Sequence, residues 1–318
     1  MDEMRAALFD RFGPPDVLYE GTVPVPGIKP GEVLVRVHAS SVNGGELHGR
    51  AGRVRLVTGR RFPQRTGLDF AGEIAEVGSA VTEPLKGTAV WGILPRRMGS
   101  MAEYVAVRPR QTSAAPAGLT PVEAVSVLAG GTTGITALRD KAGLRPGERL
   151  LVRGASGGVG SVAVQLGKVY GAHVTALAGA RNRDFVHALG ADEVLDHRTT
   201  RPTELGPFDV ILDTVGTRHR DYRKLLAPGG RMVAIAFDPG HIGRSLGYIL
   251  ASAVHGSRRV RFFSGNPRHD LLAELARMAE TGRVRPVVDT VRPLAELAAA
   301  HAALEAGGVR GKHVVRIL

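Results

Sequence analysis

The chain has 318 residues, 43% hydrophobic and 23% charged, with a mean hydropathy near zero: a globular composition, long enough for about two domains. No apolar run reaches the ~20 residues of a membrane span, MDEMRAALFDRFGPPDV lacks the apolar segment of a secretory signal, and no cysteine is present, which excludes disulfides and thiolate metal sites and leaves a cytoplasmic setting as the expectation. The net charge of +12 would suit a nucleic-acid binder, but the arginines are scattered and aromatics are only 5%, so it reads as a basic, ordinary surface that a phosphorylated cofactor would also suit.

Residues 1–118 read as β-rich, in short alternating runs cut by proline and glycine. PGEVLVRVHAS (30–40) predicts a turn and a strand, and GLDFAGEIAEVGSAV (67–81) a glycine-punctuated strand pair. At 120–123 the texture changes. Thr120 can cap, Pro121 suits the first helical position and Glu123 closes a capping box. Strands and helices then alternate: strand 149–153, helix 158–170, strand 173–178, helix 181–189, strand 208–213, helix 218–226 and strand 231–236. That rhythm predicts a parallel, doubly wound α/β sheet. A helix near 245–254, the strand RRVRFF (258–263) and a helix capped at Asn266 and running to Glu280 follow. The tail from residue 284 reads strand, helix, strand and is assigned back to the first domain. The expected division is therefore 1–118, 119–264 and 265–318, with the α/β domain inserted. KPGEVLVRV and RPGERLLVR read as one turn-then-strand device used twice.

The stretch RGASGGVGSVAVQLGKVYGAHV (153–174) carries the chemistry. Between a strand and a helix, Ala155-x-Gly157-x-x-Gly160 matches the dinucleotide fingerprint with alanine for its first glycine. A glycine there lets pyrophosphate approach the backbone, and the helix N-terminus supplies N–H donors and positive dipole. Ala155, Ser156, Gly157, Gly158, Val159 and Gly160 are the expected cofactor loop; the bland alternative is a tight turn. NAD-binding units place an acid about 20 residues on, at the end of the second strand. Here Gly179 stands at that tip, with Arg181 and Arg183 beyond it, which predicts NADPH: guanidinium groups fork onto a 2′-phosphate that a carboxylate would repel.

With GLDFAGEIAEVG, LGADEVLDH, FDVILDTVG, LLAPGGRMVAIA and the tail through GKHVVRI added, the chain resembles, over essentially its whole length, the zinc-independent, zeta-crystallin-like quinone oxidoreductases of the medium-chain dehydrogenase/reductase superfamily. The resemblance implies a GroES-like β-rich catalytic domain built from both chain ends, an inserted Rossmann domain binding NADPH, and a homodimer joined through Arg258–Phe263. It implies that Asn43 and Thr133 lie near the nicotinamide, that Glu46 stands where an aspartate is common, and that His48 stands where a tyrosine near the substrate is common. His48 either donates to a reacting carbonyl or merely lines a polar pocket. His197 replaces a tyrosine near the adenine ribose phosphate, and Val215, Gly216 and Asn266 match cofactor-contacting positions. Lys312 either reaches the cofactor phosphates or is a solvated surface charge. No metal is expected: Gly67-Leu68-Asp69 stands where zinc-dependent members have Gly-His-Glu, and His38 is an isolated donor.

The implied activity is NADPH-dependent, metal-free hydride transfer to quinones or to α,β-unsaturated carbonyl compounds, with Asn43, His48 and Thr133 as candidate catalytic residues. An enoyl reductase acting on a polyketide-type intermediate remains open. So does, in another class, an RNA-binding, crystallin-like or NADPH-sensing protein with little turnover.

Overall fold

A computed structural model describes residues 3–55, 59, 61–94, 98–238, 240–263, 265 and 267–318. Its contacts divide the chain into two compact units: Met1–Ala129, Asn266–Gly282 and Pro286–Leu318 form one, and Gly130–Gly265 with Arg283–Arg285 the other. The join falls inside a helix, later than residue 119, because the helix capped at Thr120 runs on unbroken.

The first unit opens with β1 (Glu3–Phe9), β2 (Tyr19–Pro24), β3 (Val33–Ser41), α1 (Gly44–Arg50), β4 (Gln64–Arg65), β5 (Asp69–Val77), β6 (Ala89–Ile93), β7 (Tyr104–Val107) and β8 (Thr112–Ala114). Alternation along β3 sends Val33, Val35 and Val37 into the core while Arg36 stays exposed. Those valines meet Phe70, Ile74, Val90 and Val315 in one apolar cluster. The expected strand pair at 67–81 is instead a single nine-residue strand, β5. Gly72 does not turn the chain. A Cβ there would stand 1.9 Å from the Arg36 carbonyl oxygen, opposite a register shift in β3, so the glycine permits close strand approach at an irregularity.

The capping box forms. Thr120 N–H and Oγ1 both donate to Glu123 Oε2, at 2.8 and 2.7 Å, and start α2 (Pro121–Ile135). The second unit then follows: β9 (Arg149–Arg153), α3 (Gly160–Val169), β10 (His173–Ala178), α4 (Arg183–Ala188), β11 (Glu193–Asp196), β12 (Phe208–Asp213), α5 (His219–Arg223), β13 (Leu226–Ala234), α6 (Ile242–Ala251) and β14 (Val260–Phe262). All pairings in this sheet are parallel, in the order β11-β10-β9-β12-β13-β14. Relabelled from its own first strand, that order is 3-2-1-4-5-6, the doubly wound dinucleotide-binding arrangement. Strands β9, β10 and β12 occupy the expected residues; β11 lies outside the expectation, because one exposed and three half-buried residues at a sheet edge show no period.

The chain returns to the first unit through α7 (His269–Glu280), β15 (Val288–Pro293), α8 (Leu297–Ala306) and β16 (Lys312–Arg316). The larger sheet of this unit runs β15-β16-β3-β5-β6-β8, with β7 also on β3, and a smaller one runs β2-β1-β4. Strand β16 thus stands between β15 and β3. The repeated turn device is real in both units. Lys29 N–H donates to the Glu32 carboxylate at 3.2 Å and Arg145 N–H to the Glu148 carboxylate at 2.9 Å, each just before a strand.

Candidate active site

In the second unit the glycine-rich loop links β9 to α3. Gly154 adopts φ +72°, where its missing Cβ also leaves room for Thr214 Oγ1. Gly160 is required by packing, since a Cβ there would lie 2.1 Å from the Gly154 carbonyl oxygen. Gly157 differs. A Cβ on it would meet only that same oxygen, at an ordinary 3.6 Å, so the protein itself does not demand a glycine there and room is left for an incoming ligand. Among the described residues the N–H groups of Gly158, Val159 and Gly160 make no hydrogen bond, and they sit at the N-terminus of the ten-residue α3. Unfilled donors, a positive helix end and an open approach fit a dinucleotide pyrophosphate. Ala155 is buried and donates to the Leu177 carbonyl at 3.0 Å, while Ser156 stays half-buried on the loop.

Gly179 directly follows β10, and the imidazole of His197, which directly follows β11, lies 3.7 Å from where a Gly179 Cβ would stand. Arg181 and Arg183 follow, both exposed. The structure thus gathers Gly179, Arg181, Arg183 and His197 about the tips of β10 and β11. Thr133 lies one turn after Gly130 on α2, and Gly130 packs against the loop: its Cβ would be 2.2 Å from the Gly158 carbonyl oxygen. Val215 is 42% exposed on the loop after β12, beside Gly216. Asn266 lies outside the described residues.

In the first unit Asn43 sits between β3 and α1. Its Nδ2 lies 3.0 Å from the Ser41 carbonyl, 3.0 Å from Glu46 Oε1 and 3.2 Å from Asp69 Oδ2, and its Oδ1 accepts from Lys312 Nζ. Lys312 also donates to the Val42 carbonyl at 3.3 Å. Asp69, fully buried, accepts from Ser41 N–H at 2.7 Å and Ser41 Oγ at 2.5 Å. The expectation of a solvated or phosphate-reaching Lys312 is corrected: the side chain is 5% exposed and is engaged inside its own unit. A buried Asp69 carboxylate needs a cation nearby, and the Lys312 ammonium acts on it. Nothing in the sequence marks this cluster, because positions 43, 46, 69 and 312 meet only through β16 and β5.

Burial, and then the neighbouring Asp69, push the Glu46 carboxyl up to about 8, against opposing bonds from Asn43 and Thr66 and the charge of Lys312. Burial lowers Lys312, with Asp69 and Glu46 opposing. His301, buried on α8 with Nε2 3.9 Å from Glu46 Oε2, is pushed down to about 3 by burial and Arg50, so it is neutral. His48 lies on α1 beside Arg53, whose Nη1 is 3.4 Å from Nδ1. Arginine only donates, so Nδ1 accepts and the imidazole proton resides on Nε2. Burial and Arg53 lower its pKa, keeping it neutral at physiological pH.

The parallel sheet and its open glycine loop define a dinucleotide-binding unit, and comparison with known proteins extends this to the whole chain. Residues 29–117 match the family described as alcohol dehydrogenase GroES-like domain, and residues 189–315 match that described as zinc-binding dehydrogenase. The chain is 30% identical to a mitochondrial NAD(P)H oxidoreductase of Homo sapiens, over 99% of this chain and 89% of that protein. It is 32% identical to an Arabidopsis thaliana chloroplastic NADPH-dependent alkenal/one oxidoreductase, over 98% and 79%. The solved quinone oxidoreductase of Coxiella burnetii superposes with a TM-score of 0.92 at 30% identity, covering 99% of this chain and 100% of that one. The chain belongs to the quinone oxidoreductase-like group of the medium-chain dehydrogenase/reductase superfamily, and it is an NAD(P)H-dependent oxidoreductase. The zinc named in one family description does not fit its residues. There is no cysteine, Leu68 is apolar, and both oxygens of Asp69 are held by Ser41 and Asn43.

Glu46 yields a stability prediction. Its folded pKa is raised, so between about pH 4.5 and 8 the native state holds a proton that the unfolded chain releases, and stability falls as pH rises through that window. Glu46→Gln removes the titration, keeping a neutral side chain of the same shape. Urea unfolding at about pH 5 and pH 8.5 should show the wild type losing stability on the order of a few kcal/mol more than the variant. Parallel losses in both proteins would refute the assignment.

Proposed function

We propose that this protein is an NADPH-dependent, metal-free reductase of quinones or α,β-unsaturated carbonyl compounds, with the first unit catalytic and the second holding the cofactor. The observation that carries the cofactor choice is Gly179 at the tip of β10, where an acid would select NADH, followed by exposed Arg181 and Arg183 and flanked by His197. Loop residues Ala155–Gly160 would hold the pyrophosphate and the arginines the 2′-phosphate. When bound, the cofactor supplies hydride from nicotinamide C4. The activities of the Arabidopsis and Coxiella relatives support electron-poor π systems as acceptors. As hydride arrives, the substrate oxygen gathers negative charge, and the neutral His48 Nε2–H is the donor we assign to it.

Each charged hydrogen bond to the 2′-phosphate contributes about 1.5–3 kcal/mol. Replacing Arg181 and Arg183 together by alanine should weaken NADPH binding by roughly a hundredfold to ten-thousandfold and NADH binding little. Equal dissociation constants for the two cofactors in the wild type would overturn the choice. The rival RNA-binding reading predicts a salt-dependent RNA shift without NADPH turnover.

For His48→Phe, loss of an oxyanion donor should lower kcat by about tenfold to a thousandfold, more for an enone than for a readily reduced quinone. NADPH affinity should hardly change. A loss confined to KM would make His48 a lining residue only.

The homodimer belongs to the same reading. Leu246, Leu250 and Val254 recur every fourth residue at 40, 75 and 83% exposure, and β14 pairs only with β13 among the described residues, with Phe262 39% exposed. An open strand edge beside an apolar stripe invites a second copy. Sedimentation should find a dimer that Leu250→Glu converts to monomer; a wild-type monomer at micromolar concentration sinks the proposal.

A further inference from the structure

Helix α1 carries His48, and the face it buries is charged. Seven residues do not hold a helix in water by themselves, so α1 depends on what it packs against. Its buried residues are Glu46, Gly49 and Arg50, with Glu46 0% and Arg50 1% exposed. Leu47, half-buried, packs against the apolar cluster of the unit. Glu46 and Arg50 stand four positions apart and so share one face, and His48, midway between them, projects from the opposite side.

That charged face meets α8. The Arg50 guanidinium donates through Nη2 to the Glu305 carboxylate, and His301 Nε2 lies 3.9 Å from Glu46 Oε2. The second contact carries no charge, since Glu46 keeps its proton and His301 is neutral. Arg50–Glu305 is therefore the charged link between the two helices. Arg50 Nε and Nη1 are buried with no hydrogen-bond partner among the described residues, so the hold on this guanidinium runs through its Nη2. Below it the Arg50 carbonyl accepts from Gly13 N–H at 3.1 Å. Gly52, at φ +71°, leaves room for Phe12, whose ring a Cβ would strike at 2.8 Å. The end of α1 is thus seated on the loop after β1.

A buried ion pair is a poor source of stability, because an apolar pair of similar volume often does as well or better. What it supplies is direction. Locking Arg50 to α8 sets the rotation of α1 about its own axis, and that rotation decides where His48 points. A slip of one residue turns the helix by about 100°. Even a displacement of about 1 Å at a reacting group can cost about a hundredfold in rate.

We propose that Glu305 and Arg50 are positioning residues for the reduction, aiming the His48 Nε2–H through the rotation of α1. The proposal rests on the assignment of His48 as donor to the substrate oxygen. It brings α8, from the returning end of the chain, into the reaction without contact with the substrate.

The experiment is a double-mutant cycle on kcat for the reduction of an enone by NADPH, using Glu305→Gln and His48→Phe. The Glu305 side chain is 38% exposed, so an isosteric amide fits its position, and thermal melts check each variant. With His48 present, Glu305→Gln should lower kcat by about threefold to thirtyfold while KM for NADPH hardly changes. In the His48→Phe background the same change should lower kcat by less than about twofold, because the group it aims is gone. Glu305→Asp, which keeps the charge, should retain more of kcat than Glu305→Gln, and it takes the latter's place in the cycle if the amide melts below the assay temperature. Equal losses in the two backgrounds mean that α8 supports the fold as a whole, and they overturn the proposal. So does unchanged kcat in folded Glu305→Gln. A His48→Phe variant with wild-type kcat refutes instead the oxyanion assignment, and the proposal falls with it.

Discussion

A carboxylate removed from water must find charge and hydrogen bonds inside the protein, and each unit of this chain is organised around one that does. Asp69 opens β5 and gathers Ser41 and Asn43 from the end of β3, with the Lys312 ammonium from β16 acting on it. Asp213 closes β12 and gathers Val215 and Gly216, with Arg153 from β9 against it. In both places one carboxylate joins the end of one strand to the segment that leaves or enters its neighbour. The loops that carry the candidate chemistry are held by directional electrostatics, which fixes backbone positions more narrowly than apolar packing does.

The two units use polarity in opposite senses. In the first, ionisable groups are sealed away and balance one another: Glu46 keeps its proton, His301 stays neutral, and Lys312 answers Asp69. In the second, donors are left unfilled. Gly158, Val159 and Gly160 present N–H groups at a helix start, and Gly157 leaves the approach clear. An anion completes the second arrangement, whereas the first is complete in itself.

Local signals were legible in the sequence. The Thr120–Glu123 box, the strand–glycine–helix passage at 149–169 and the two Pro-Gly-Glu turns are each written within a few residues, and each folds as its local chemistry dictates. Gly72 misled because a glycine permitting close strand approach has the same sequence signature as one permitting a turn. The β11 strand escaped because its pairing with β10, not its pattern, makes it a strand. Lys312 could not be placed from sequence at all. Whether a lone lysine is solvated or buried depends on Asn43, Glu46 and Asp69, more than two hundred residues away along the chain.

The position of β16 bears on how the molecule comes into being. The strand stands between β15 and β3, with Val314 and Val315 fully buried, and it delivers Lys312 to the carboxyl pair. During vectorial synthesis the second unit's sheet leaves the ribosome entire, while the first still lacks β15, β16 and the Lys312 counter-ion. Domains fold as units as they emerge. The inserted unit therefore matures first, and the earlier-made half waits with an unneutralised acidic centre and an open sheet edge, the species a chaperone would have reason to hold.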